Sequence, residues 1–148
     1  MIKEFVAAWD ANKDRLEEYF KTHEQSKYTS YETLLKLLID EVINPYFVDV
    51  LDMNPWYSER ITTIDDGDYQ GTQLFIVLKK TFQPCAEDYF WTYQWYGSCS
   101  GCDLLMGISG YDEGLPSEEQ VKEYMMLELH LLQRCKYFLS REEAMENY

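Results

Sequence analysis

The chain has 148 residues, the size of one folded domain with a sizeable core. Apolar residues make up 46% and aromatics 16%, which excludes a disordered chain. Thirteen Lys and Arg face 27 Asp and Glu, a formal charge of −14, and a field of that sign repels nucleic acid and anionic membranes.

Ile2, Phe5, Val6, Trp9, Leu16, Tyr19 and Phe20 recur at helical spacing, which predicts an amphipathic first helix over about residues 2–22. Thr29-Ser30-Tyr31-Glu32 has capping-box form, with Thr29 as cap and Glu32 reaching back. The second helix is expected to run to about Asn44 and to stop before Pro45. Residues 46–57 are bracketed by Pro45 and Pro55 and read as a short helix or an irregular crossing. Ile61–Ile64 then reads as a strand, Asp65-Asp66-Gly67-Asp68 as a type I′ hairpin turn, and Thr72–Lys79 as the partner strand. A third strand covers Asp88–Tyr96. Aromatics on both of its faces predict a central strand covered by helices. Leu104–Ile108 suits either a short helix or a buried strand. Ser117-Glu118-Glu119-Gln120 opens a last helix to about Leu139, with Tyr124, Leu127, Leu131, Cys135 and Phe138 as its core stripe.

The expected fold is α+β: an antiparallel meander of three to four strands against two N-terminal helices and a long C-terminal helix. The single domain divides into a helical part over 1–45, the sheet and Cys loop over 58–111, the last helix over 117–139 and a charged, frayed tail over 140–148. No stretch has the length and apolarity of a membrane-spanning helix, and Met1–Val6 lacks the layout of a signal peptide. A cytoplasmic protein is expected, with Cys85, Cys99, Cys102 and Cys135 as reduced thiols.

Tyr96-Gly97-Ser98-Cys99-Ser100-Gly101-Cys102-Asp103 is the motif richest in chemistry. As a redox pair, Cys99 would attack a disulfide and Cys102 would resolve it, which needs a lowered thiol pKa. No Lys, Arg or His lies between Thr81 and Val121 to favour one. As a metal site the pair is half a tetrahedral zinc shell, to be completed from Cys85, Cys135, His130 or His23. On the last helix His130 and Cys135 stand about 140° apart, and Cys135 falls in the core stripe. The plainest reading is a tight Gly-dependent connection whose thiols pack as apolar groups.

The Asp65–Asp68 cluster lacks the spaced ligands of a calcium loop, yet it thrusts three acids outward. Tyr89, Trp91, Tyr93 and Trp95 share one strand face, where Trp91 and Trp95 could stack a small ligand. Phosphate-binding Lys or Arg is missing nearby, against nucleic acid. His23 and His130 have no Ser or Cys partner at a recognisable spacing, against a hydrolytic triad. From Leu37 to Val121 fifteen acids stand against three bases, Arg60, Lys79 and Lys80, so the charge belongs to the middle of the fold.

The runs Asp66-Gly67-Asp68-Tyr69-Gln70-Gly71-Thr72 and Tyr96–Asp103, with the capped last helix, resemble a family of small acidic proteins of tailed bacteriophages. The resemblance implies a viral protein acting in a host cytoplasm, and by analogy one that binds host enzymes or imitates the charge of DNA; it places no catalytic residue. The expectation is therefore a non-enzymatic interaction protein without cofactor. It would bind and inhibit a basic, nucleic-acid-handling host or defence protein through Asp65, Asp66, Asp68, Glu87, Asp88, Asp112 and Glu113, with no direct nucleic acid and no membrane. The alternative is a zinc-binding or thiol-redox module centred on Cys99 and Cys102, and the third reading is a ligand binder using Trp91 and Trp95.

Overall fold

Residues Lys3–Thr22 form α1 in the computed structural model, which describes residues 1–26, 28–99, 101–109 and 114–138. Helical spacing sends Phe5, Ala8, Leu16 and Phe20 into the core and leaves Asp10, Lys13 and Asp14 in solvent. Phe5 is the hub. Its ring meets Phe47, Trp56 and Phe90 edge-on at 5.6, 6.1 and 4.9 Å between centroids.

Helix α2 (Tyr31–Leu38) is capped one residue later than the sequence suggests. Ser30, not Thr29, accepts the Thr33 N–H, at 3.1 Å. Glu32 does not reach back to the cap; it accepts the Thr63 hydroxyl at 3.2 Å and ties α2 to the sheet. Nor does the helical path stop at Pro45. A widened π turn, Ile39–Ile43, follows α2, with Asn44 N–H bonded to the Ile39 carbonyl, and α3 (Asn44–Asp49) continues through Pro45. In a regular helix the proline ring would press on the Glu41 carbonyl; the wider turn opens that contact, and a missing N–H costs nothing at the start of α3.

The Asn44 side chain then clamps the irregular segment beyond. It donates to the Trp56 carbonyl at 2.9 Å and accepts the Trp56 N–H at 2.7 Å, seating the indole in the core against Lys79.

The sheet is antiparallel throughout, in the order β1 (Thr62–Asp65), β2 (Gly71–Leu78), β3 (Tyr89–Tyr96) and β4 (Lys136–Tyr137). The hairpin turn is not type I′. That turn needs positive φ at its central residues, and Gly67 does not have it. A wider loop forms instead, closed by the Asp65 carboxylate on Gly67 N–H (3.0 Å) and the Asp66 carboxylate on Thr72 N–H (2.7 Å).

Leu104–Ser109 is helical, α4. Helix α5 (Glu118–Gln133) opens with the expected box of Ser117 and Gln120, but ends six residues before Leu139. The chain turns at Arg134 and pairs with β3, so Phe138 leaves the expected core stripe and is 47% exposed. Glu128, which the stripe omits, is buried within it.

The α+β class is thus as expected. The helices cover only one face of the sheet: Phe75, Val77, Phe90, Thr92 and Gln94 are buried, and Tyr93 and Trp95 on the opposite face are exposed. Period-two alternation sorts the residues correctly, while the expectation of helices on both faces is overturned. The tail over 140–148, Asp112 and Glu113 lie outside the described residues.

Candidate functional site

Strand register assembles the open face. Trp91, Tyr93 and Trp95 of β3 stand opposite Ile76, Leu74 and Thr72 of β2, and Ile64 of β1 follows Leu74. Phe138 closes the far side, its ring 5.8 Å from Tyr89. Trp95 and Ile64 are 48% and 51% exposed. Two cations border the β4 side. Arg134 lies over the Tyr93 ring and bonds the Gln94 side-chain oxygen at 2.7 Å, and Lys136 lies over Trp91.

On β3 the inward face carries the polar side chains Thr92 and Gln94, yet they are satisfied. The Thr92 hydroxyl donates to the Leu131 carbonyl at 2.7 Å, and Gln94 takes Arg134. Satisfied polar groups can be buried, and that leaves the apolar ring row outside.

The expected acidic contacts do not form one patch. Asp65, Asp66 and Asp68 lie at the Tyr96 end of β3, and Glu87 and Asp88 at the Tyr89 end, about 23 Å away along an eight-residue strand. Several carboxylates also have local duties. The Tyr96 hydroxyl donates to Asp65, which holds the Asp65 carboxyl below its ordinary range, with the Gly67 N–H helping, and pushes Tyr96 up to about 12. Asp88 accepts the Cys85 N–H at 2.9 Å. The ion pairs Arg15–Glu41, Lys21–Glu17 and Lys122–Glu119 involve none of these acids.

The Cys loop is anchored by Asp103, which is buried. Its carboxylate accepts Gly97 N–H (2.9 Å), Met106 N–H (3.1 Å) and the Tyr31 hydroxyl (2.8 Å). Gly97 is required here, because a Cβ would stand 2.6 Å from the Cys102 carbonyl oxygen. The tight Gly-dependent connection is as expected, but its thiols do not pack inward. Cys99 and Cys102 are exposed free thiols with sulfurs 2.7 Å apart. The Cys99 thiol and then the Cys99 N–H (3.0 Å) bond the Cys102 sulfur and draw its pKa below the ordinary thiol value. Cys135 is the small buried hydrophobe expected, its thiol pushed up by burial.

Between α4 and α5 lies a cleft of about 440 Å³ that the sequence does not disclose. Cys102, Leu104, Ile108, Met126, Leu127 and His130 line it. His130 therefore shares a cavity with Cys102, a pairing hidden by 27 intervening residues. His23 does not join it; its ring stacks on Tyr19 at 3.9 Å. Among the described residues no group of three or more His, Cys, Asp or Glu is placed to hold a metal ion, and no helix is long and apolar enough to cross a membrane. The chain matches no family model, no curated protein and no solved structure.

Proposed function

We propose that this chain is a non-enzymatic binding protein that docks a basic protein partner on the open face of its sheet. The observation that carries the reading is that face itself: Ile64, Tyr93, Trp95 and Phe138 are each at least 40% exposed on the open side of the sheet, beside Arg134 and Lys136. Exposed aromatics gathered on a rigid sheet are the usual anchors of protein interfaces.

Charge selects the occupant. A second copy would bring −14 against −14, and single-stranded nucleic acid would meet the same field, with Arg134 and Lys136 as the cations on the face. A basic protein is attracted by that field, and Asp66 and Asp68 at the rim meet its cations. A nucleic-acid-handling protein of a bacterial host is the class of partner that fits, in line with the phage resemblance.

The test is retention of proteins from a bacterial lysate by the wild-type chain and by Trp91→Ser/Tyr93→Ser/Trp95→Ser, with circular dichroism confirming that both fold. The expected result is a basic protein held by the wild type at about 50 mM salt, released near 500 mM and lost by the variant. Retention that ignores salt, or that the two chains share equally, overturns the reading. So does dimerisation through this face or tight binding of single-stranded oligonucleotides.

A further inference from the structure

We propose that Cys99 and Cys102 are a thiol–disulfide couple that accepts small apolar disulfides from the cleft between α4 and α5, with Cys102 attacking and Cys99 closing. The inference is independent of docking on the sheet.

Geometry assigns the roles. Cys102 lines the cleft and Cys99 does not, so a disulfide held there meets Cys102 first. This reverses the order expected from the sequence. The Cys99 N–H points at the Cys102 sulfur from 3.0 Å, and the Cys99 thiol is 2.7 Å from it. The pKa of Cys102 is lowered beside these two groups, which favours its thiolate, the form that attacks. Cys99 is then in place for the second step. The turn that holds the pair is fixed at both ends: Cys99 carbonyl accepts the N–H of Cys102 (3.1 Å) and of Asp103 (2.9 Å), and Asp103 is anchored as described. Leu104, Ile108, Met126 and Leu127 give the cleft apolar walls, and Glu123 in the lining disfavours an anionic substrate. His130 brings an imidazole to the same lining.

The chemistry balances without another reactant. The Cys102 thiolate attacks one sulfur of R–S–S–R′, a Cys102–S–R mixed disulfide forms, and R′–S⁻ leaves and takes a proton. Cys99 loses its proton, attacks the Cys102 sulfur and expels R–S⁻. Two protein thiols become one disulfide, and one substrate disulfide becomes two thiols.

The probe is 4,4′-dithiodipyridine, a neutral aromatic disulfide whose released thiopyridone absorbs light. It is used on the full chain carrying Cys85→Ser, because Cys85 is also an exposed thiol. The expected result is a fast release of two equivalents, at least about tenfold faster than the reaction of Cys85 in Cys99→Ser/Cys102→Ser. Cys99→Ser should release one equivalent and leave a mixed disulfide on Cys102, visible in the intact mass. Cys102→Ser should lose the fast phase, and Met126→Asp should slow it. A fast phase that survives Cys102→Ser, a rate no greater than that of Cys85, a rate unaffected by Met126→Asp, or one zinc per purified chain overturns the proposal.

Discussion

Tyr31 and Asp103, 72 residues apart in the chain, are joined by a 2.8 Å hydrogen bond in which the phenol donates to Oδ1. Burial, more than the neighbouring carboxylate, raises the Tyr31 ionisation well above its ordinary value, so the phenol stays a donor. Its oxygen in turn accepts the Leu105 N–H at 3.2 Å. The first residue of α2 thus holds the start of α4, and one carboxylate fixes both ends of the Cys loop.

The two substitutions should separate. Tyr31→Phe removes one donor and one acceptor and should cost about 1–2 kcal/mol. Asp103→Ala strands the Gly97 and Met106 N–H groups as well as the phenol, and should cost about 3 kcal/mol. Urea unfolding of the two variants measures the difference. A smaller loss for Asp103→Ala than for Tyr31→Phe would mean that Asp103 is not the anchor.

How far the sequence discloses this architecture depends on the range of the forces involved. Ser117 and Gln120 are legible because a capping box is closed within one turn. The alternation of β3 is legible because the pleat has a fixed period. Which of its faces is covered is not, because both carry aromatics and the decision rests on whether Thr92 and Gln94 find partners on α5 and Arg134. The π turn before Pro45 is equally hidden, since it depends on the packing of Ile39, Val42 and Ile43 into the core. The chemistry of the Cys motif can be read from its spacing. The cleft beside it cannot, since His130 and Met126 arrive from another helix.

Gly97 gives a second test of the Cys loop. The Cβ of Gly97→Ala would lie 2.6 Å from the Cys102 carbonyl oxygen and 2.9 Å from its sulfur. Backbone cannot yield there without shifting the turn that sets the thiol pair. The expected cost is about 1–3 kcal/mol, and the fast disulfide exchange should slow with it. Ser98→Ala, one residue on and exposed, is the control and should leave stability nearly unchanged. Equal stability and equal thiol reactivity for Gly97→Ala and wild type would show that the close approach is not required.

Glu128 gives the chain a stability that falls as pH rises. It is fully buried in the α5 stripe with Tyr124, Leu131 and Cys135, and among the described residues neither carboxylate oxygen has a hydrogen-bond partner. Tyr124 of the same stripe stacks on Phe20 of α1 at 4.9 Å, so the setting is apolar. Burial raises the Glu128 pKa well above the ordinary 4.5. Between the ordinary value and the raised one, the folded chain keeps a proton that the unfolded chain has released. Stability contributed by this group is therefore complete below about pH 4.5 and declines above it, by up to about 1.4 kcal/mol per pH unit until the folded group itself ionises. Glu128→Met fills similar space without an ionisable group. It should be more stable than wild type near pH 7, with an advantage that shrinks steadily toward pH 4. Glu128→Gln keeps the buried polar atoms but loses the proton linkage, so its stability should follow the pH dependence of Glu128→Met at a lower level. Denaturation midpoints of the three chains at intervals between about pH 4 and pH 7 measure this. A difference between Glu128→Met and wild type that does not change over that range would show that the carboxyl is not held protonated in the fold.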